Sequence, residues 1–191
     1  MKKISIPQNY KLFFIVLSII AVIAGAIFYF KLGVNDQELI KTYIDAYFIN
    51  SEYSIINIIL LNLLIFILIW IFGLSMFGSG FIVFIYFIKM FLLSLSVSAI
   101  VKLGGEDAIL KAFLYVFPSQ IVSIFIYALL AIYALNSSFM FFKILFKKRE
   151  INFKNIFVDY NKIFGILFGI LLIVIVYQVY LNPFLFNLFF K

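Results

Sequence analysis

Long apolar segments alternate with short polar ones along the whole of this chain. The apolar segments that are long enough to cross a bilayer span residues 12–30, 55–77, 81–101, 108–135 and 163–181. A transmembrane helix needs about 20 consecutive apolar residues. We therefore predict an all-α fold, a polytopic bundle of about five transmembrane helices, that forms one integral membrane domain over residues 1–191.

Two of these segments need a closer description. The basic residues before segment 12–30 resemble those of a signal peptide, but the apolar run is longer than the 7–15 residues typical of one, and Lys31 follows without a convincing small-residue cleavage site. We interpret it as an uncleaved helix. Segment 108–135 is too long for one straight span, and we expect Pro118 to divide it, with the first part at the interface or entering the membrane partway.

The region between the first two spans predicts a short amphipathic helix on the outer membrane face. An apolar stripe at helical spacing runs through Leu39, Ile40, Tyr43, Ala46, Tyr47 and Ile49, and the charged residues Lys41, Asp45 and Glu52 lie off it. Two interpretations stay open: the stripe packs on its own bundle, or it binds a partner.

The composition is typical of a membrane protein and argues against several kinds of catalytic and metal-binding chemistry. Hydrophobic residues make up 66% of the chain, against roughly 45–50% in soluble domains. The sequence contains no Cys and no His, so it lacks disulfides and the commonest general base and metal ligand. No catalytic triad, zinc motif or phosphate-binding loop is present. We predict a protein that is not an enzyme and has no cofactor or metal.

The charges between spans indicate an orientation. Basic residues precede the first span and fill a predicted loop between the fourth and fifth, and that loop carries Lys143, Lys147, Lys148, Arg149, Lys154 and Lys162. The positive-inside rule places both regions in the cytoplasm and the C-terminus outside. Anionic lipid headgroups explain the basic loop without nucleic acid, which we do not expect as a partner. Docking of a cytoplasmic ATPase is the alternative.

Lys89 stands alone within the third apolar segment, where a charge costs roughly 2.5–3.5 kcal/mol on insertion scales. The glycines Gly73, Gly78 and Gly80 predict a hinge that folds the second and third spans into a hairpin. Measured from that hinge, Lys89 and Asn62 lie at a matched depth of roughly 13–17 Å, at 1.5 Å per helical residue.

A buried polar cluster is the interpretation that this depth favours. We expect Lys89 to donate to Asn62, with Asn57 and Ser96 nearby on the same two helices. Snorkelling of the lysine toward the cytoplasm and a substrate or proton path are the alternatives.

Small residues mark faces on which helices can approach closely in lipid. The first span carries Ser18, Ala21, Gly25 and Ala26, and the fifth carries Gly165 and Gly169 in a GxxxG spacing. Each face is either a packing face within the chain or the seam of a homodimer.

The middle of the chain resembles the stage II sporulation protein M family. The residues that carry the resemblance are Asn62, Trp70, Gly73, Gly78 and Lys89, followed by Ala112, Phe113, Pro118 and Gln120. They cover roughly residues 62–123, and the remainder agrees in topology.

The resemblance implies a non-enzymatic membrane scaffold. In sporulation, such a protein recruits a membrane-anchored peptidoglycan hydrolase during engulfment, and it would bind partners through the outer loop 31–54 or through its spans. Relatives in circular bacteriocin clusters occur beside an ATP-binding protein, so a membrane component of bacteriocin export or immunity is the alternative.

Overall fold

The computed structural model describes residues 8–49, 52–103, 105–147 and 153–190, and this part of the chain is almost entirely helical and contains no strand. Its helices are α1 Gln8–Lys31, α2 Val34–Ile49, α3 Glu52–Gly73, α4 Gly78–Leu103, α5 Ala108–Val116, α6 Ser119–Lys147, α7 Phe153–Val176 and α8 Asn182–Phe190. A 3-10 turn, Gly105–Asp107, precedes α5, and a π-helical segment, Tyr177–Leu181, joins α7 to α8.

Five helical stretches are long and apolar enough to cross a membrane, which confirms the predicted all-α bundle of five spans. They are Gln8–Lys31, Ile55–Gly73, Gly78–Lys102, Ser119–Ile144 and Ile156–Leu185. By length and composition, the chain is a multi-pass membrane protein.

The fourth apolar segment becomes helical at Ala108, as predicted, but the span itself starts only at Ser119 and ends later than predicted. Helix α5 stops at Val116 and α6 starts at Ser119, so Pro118 does divide the segment. The intervening Phe117 is extended, with ψ 136°, because a following proline disfavours the helical region. The predicted end at residue 135 is wrong. The polar residues Asn136, Ser137 and Ser138 that follow are buried in the bundle, so α6 passes through them without leaving the apolar environment.

The fifth span is also longer than predicted, and this changes the basic loop. Because α7 starts at Phe153, Lys154 and Lys162 lie on a helix, and Lys143 lies on α6; all three side chains are exposed. The prediction of a loop over residues 143–162 is therefore wrong in these parts. Lys147 is the last residue of α6, and Lys148 and Arg149 lie outside the described residues.

The contact between α1 and α4 depends on a glycine. A Cβ added to Gly25 would lie 2.5 Å from the carbonyl oxygen of Phe91. In the same contact, the Ser94 hydroxyl donates to the Val22 carbonyl (2.6 Å). Gly25 therefore serves helix packing within the chain, and the backbones approach too closely for any side chain.

The two glycines of the fifth span behave differently. Gly165 and Gly169 are both exposed. A Cβ at either position would meet no described atom within 4 Å. Packing within the chain is therefore wrong for these two residues in the part of the protein that the structure describes, which leaves the homodimer seam as the untested alternative.

A pair of leucine substitutions separates these two kinds of glycine. Gly25→Leu is expected to lower the free energy of unfolding by about 1–3 kcal/mol, because overpacking forces α1 away from α4. Gly169→Leu is the matched control and is expected to leave it unchanged or to raise it by up to about 1 kcal/mol, because leucine favours helix over glycine and nothing crowds it there. The measurement is reversible unfolding in mixed detergent micelles. Equal losses in the two variants would contradict the assigned packing.

The bundle has two distinct ends. We call one the hairpin end: there the turn between α3 and α4 meets the end of α6, because Ser138 Oγ donates to the Ser75 carbonyl (2.7 Å). The start of α1 lies there too, since the Tyr10 ring stacks on that of Phe139 with centroids 6.1 Å apart. The far end holds α2, which contacts α4 and α8.

A side-chain amide fixes α2 to the far end. Gln37 is buried, and its Nε2 donates to the carbonyls of Tyr29 (3.3 Å) and Leu32 (2.9 Å) at the end of α1. Its Oε1 accepts from the ammonium of Lys102 on α4 (2.7 Å). One amide thus joins three helices and donates to carbonyls at the end of α1, where a helix lacks its usual backbone donors.

The apolar stripe of α2 was expected either to pack on the chain's own bundle or to bind a partner, and part of it does not pack on the bundle. Leu39 and Tyr43 are 56% and 60% exposed. The side chains of Ala46, Tyr47 and Ile49 lie outside those that the structure describes. Ile40 is half-buried. Of the three stripe residues that can be placed, packing on the chain's own bundle is therefore wrong for Leu39 and Tyr43, whose side chains face outward.

Candidate functional site

The hinge that brings α3 beside α4 is shorter than the sequence suggested. Helix α3 ends at Gly73 and α4 already begins at Gly78, so only residues 74–77 form the turn, and Gly78 and Gly80 belong to the helix. A Cβ on Gly78 would collide with the backbone of Phe72, whereas a Cβ on Gly80 would meet nothing within 4 Å. Only the first of these two glycines is therefore required by packing.

The hairpin places the predicted lysine and asparagine against each other. Lys89 Nζ donates to Asn62 Oδ1 at 3.1 Å. The ammonium also lies over the ring of Tyr127 on α6, 5.0 Å from its centroid, which is within the range of a cation–π interaction. Asn62 is buried and Lys89 is half-buried.

Asn62 is the centre of a polar network. Its Nδ2 donates to the Ile58 carbonyl (2.8 Å) and to Gln178 Oε1 (3.1 Å). The Tyr127 hydroxyl lies 3.0 Å from both Asn62 Oδ1 and the Asn62 carbonyl oxygen. With Lys89 included, one amide joins α3, α4, α6 and the π-helical segment.

The network continues as a row along α6 toward the far end. Gln178 Nε2 donates to Ser123 Oγ (3.3 Å), and Asn182 Nδ2 donates to Ser119 Oγ (3.1 Å). Residues 119, 123 and 127 recur every fourth position, as do 178 and 182, so each set shares one helix face. The row on α6 spans about 12 Å at 1.5 Å per residue.

Two predicted members of the cluster lie apart from it. Ser96 Oγ donates to the Leu92 carbonyl (3.0 Å), and it also shares a side-chain hydrogen bond with Tyr115 on α5. Asn57 is half-buried and makes no hydrogen bond within the described part of the chain. The structure therefore brings Lys89 to Asn62 but assigns neither Asn57 nor Ser96 to the network.

Sequence reasoning missed Tyr127, Gln178, Ser123, Ser119 and Asn182. A usable signal was present, because isolated polar residues at fourfold spacing inside an apolar helix mark a face turned away from lipid. The motif residue Gln120 is buried at the start of α6, beside this row.

A second connection, nearer the hairpin end, uses the motif residue Trp70. Its Nε1 donates to Asn161 Oδ1 (3.1 Å), and its carbonyl accepts from the Tyr160 hydroxyl (3.1 Å). A Cβ on Gly73 would collide with that same hydroxyl. Trp70 and Gly73 therefore hold α3 against α7, and nothing in their contacts requires a ligand.

Trp70→Phe tests this connection. The ring keeps its packing on Phe164 (centroids 4.7 Å apart) but loses the N–H, so we expect the free energy of unfolding to fall by about 1 kcal/mol. The loss should shrink when Asn161→Ala is already present, because the amide acceptor is then gone. Strictly additive losses in a double-mutant cycle would contradict the Trp70–Asn161 bond.

The arrangement at Asn62 can hold one positive charge inside the bundle and fix how four helical segments sit against one another. Every hydrogen-bonding partner in it other than the ammonium is neutral. Among the residues that the structure describes, no group of three or more His, Cys, Asp or Glu side chains could hold a metal ion.

Comparison with known proteins agrees with the motif residues. The family model described as stage II sporulation protein M matches residues 12–183. No curated protein and no solved structure matches the chain.

Proposed function

Because the chain belongs to the stage II sporulation protein M family, we propose that it is a non-enzymatic integral membrane scaffold that recruits membrane-anchored peptidoglycan hydrolases during engulfment. The family match along most of the chain is the observation that carries this proposal. A helix bundle locked by side-chain hydrogen bonds supports it, since a scaffold needs a fixed shape. The cleavage chemistry then belongs to the recruited partners.

The proposal includes an orientation. Exposed Lys143, Lys154 and Lys162 lie on the parts of α6 and α7 near the hairpin end, and positive residues favour the cytoplasmic side. The far end then faces outward with α2, whose Asp36 and Glu38 are exposed. The exposed Leu39 and Tyr43 give α2 an apolar surface for an outer partner.

Deletion of the gene tests the role in sporulation. The proposal predicts that engulfment stalls and that the full chain restores it. A deletion strain that completes engulfment normally would sink the scaffold proposal.

Two matched variants test the surface that recruits the hydrolase. In Leu39→Ser/Tyr43→Ser, we expect co-purification of the hydrolase with the tagged chain to fall at least about tenfold, a loss of roughly 1.4 kcal/mol. In Lys143→Gln/Lys154→Gln, it should persist. Hydrolase capture that depends on the basic pair instead would contradict recruitment through α2.

A second candidate function is a membrane component that works with a separate ATP-binding protein in bacteriocin export or immunity. The exposed lysines near the hairpin end favour it, because they suit docking of an acidic cytoplasmic surface. This candidate predicts the opposite result: Lys143→Gln/Lys154→Gln abolishes bacteriocin tolerance and ATPase binding, and the α2 variant leaves both intact. Gene neighbours give the first indication, as either sporulation genes or a bacteriocin precursor with an ATPase.

A further inference from the structure

The ammonium of Lys89 has fewer partners than it can bind. A lysine ammonium carries three N–H donors. One donates to Asn62 Oδ1, and the Tyr127 ring adds a cation–π contact. These are its only interactions within the described part of the chain, and neither partner carries a negative charge.

The network around Asn62 offers Lys89 a single acceptor. A side-chain carbonyl oxygen has two lone pairs, and Asn62 Oδ1 lies within hydrogen-bond distance of both Lys89 Nζ and the Tyr127 hydroxyl. Within the described part of the chain, the other two N–H groups of Lys89 donate to no side chain or carbonyl.

The chain also lacks a counter-charge at this depth. Within the five candidate spans, the sequence contains one acidic residue, Asp159. Asp159 lies near the start of α7. Gln178, the network residue that follows the other end of α7, is about 28 Å from it at 1.5 Å per residue. An unpaired charge in hydrocarbon is expensive, so an anionic partner would stabilise Lys89.

Depth decides which anion can reach the ammonium. Lys89 lies about 16 Å along α4 from Gly78, near the middle of a hydrocarbon core about 30 Å thick. Lipid phosphates lie outside that core. Since the ammonium bonds sideways to Asn62 and Tyr127, a carboxylate on another transmembrane helix fits this depth better than a headgroup.

The surface beside Lys89 is apolar and partly exposed. Lys89 is half-buried, and Leu92, one turn further along α4, is 46% exposed. On α3, Leu61, which adjoins Asn62 in the chain, is 56% exposed. A helix from another protein can therefore lie along α3 and α4 next to the ammonium.

We propose that a transmembrane helix of a partner protein packs against this surface of α3 and α4 and places an Asp or Glu carboxylate on Lys89. The inference rests on the proposed scaffold function, whose partners are membrane-anchored, and it adds the chemistry by which such an anchor is recognised. A charge-assisted hydrogen bond in a low dielectric supplies both affinity and selection for depth.

The test uses a synthetic single-span leucine–alanine peptide with one central Glu, and the same peptide with a central Gln. Energy transfer reports its association with the full chain in vesicles of zwitterionic lipid. The proposal predicts at least tenfold tighter association of the Glu peptide. Equal association of the two peptides would overturn it.

Matched variants of the chain locate the contact. Lys89→Met should remove the preference for Glu over Gln, whereas Lys31→Met, at the exposed end of α1, should keep it. A preference that survives Lys89→Met would overturn the proposal, and so would a preference that disappears when anionic lipid is added, since that assigns the ammonium to a headgroup. If Lys89→Met does not fold, the comparison of the two peptides on the unaltered chain still decides.

The peptide assay contains no hydrolase, so it separates this inference from the proposed function. A Glu preference together with normal engulfment in a deletion strain would refute the scaffold role and keep the helix-pairing site. Stalled engulfment without a Glu preference would refute the helix-pairing site and keep the scaffold role.

Discussion

Replacing Asn62 with leucine is expected to lower the free energy of unfolding by about 3 kcal/mol. The substitution keeps the branched shape of the side chain but removes the partner of Lys89 and the donor to Gln178. Hydrogen bonds to charged groups contribute about 1.5–3 kcal/mol, and each buried group left unpaired adds a cost of similar size. Unfolding in mixed detergent micelles, followed by circular dichroism, measures the change.

Asn57→Leu is the matched control for this substitution. It makes the same chemical change on the same helix, but Asn57 has no hydrogen bond to the network. We expect it to be neutral or stabilising within about 0.5 kcal/mol. If both asparagines behaved alike, a generic preference for leucine in lipid would explain the data and the network would not.

Gly78→Ala is expected to be the second most damaging substitution. The added methyl group would overlap the backbone of Phe72, which cannot move aside as a flexible side chain can. Overpacking typically costs about 1–3 kcal/mol, and here it also shifts the register of the hairpin that brings Lys89 to Asn62. We therefore expect a loss at the upper end of that range.

Gly80→Ala controls for the general effect of alanine in the first turn of α4. Gly80 lines an open groove of about 540 Å³, so the methyl group has room. Because alanine favours helix over glycine by about 1 kcal/mol, this variant should be neutral or more stable than the original. A loss as large as that of Gly78→Ala would show that the hinge needs backbone freedom at both positions.

The hairpin and its central pair could be predicted because they depend on distance along rigid helices. Lys89 and Asn62 lie at similar distances from a short turn, and a fixed rise per residue turns those spacings into a common depth. Nothing more than the turn and the helical rise was needed to place them together.

The spacing of the other polar residues could indicate which helix faces turn away from lipid, but their partners across those faces could not be predicted, because they depend on how each helix is rotated against its neighbours. In a soluble protein, the polar face shows which side of a helix is buried. Here both the lipid-facing side and the packed side are apolar, so the sequence did not show that Gln178 turns toward α3. The same ambiguity applies to Gly165 and Gly169: their spacing permits close approach of a helix but does not show whether that helix belongs to this chain or to a second copy.

The predicted end of the fourth span was wrong for a related reason. The polar residues at 136–138 look like the beginning of a loop, yet they are buried and the helix continues to Lys147. Hydrogen bonding inside the bundle, as from Ser138 to the hairpin turn, makes polar residues compatible with a span. Only the tertiary contacts reveal this.

The double variant Asn62→Leu/Lys89→Met tests most directly whether a lysine held by an amide organises the bundle. Removing both partners leaves no charge to compensate, so we predict that the double variant regains at least about 1.5 kcal/mol of the unfolding free energy lost in Asn62→Leu. Losses that simply add, so that the double variant is less stable than either single one, would contradict the account.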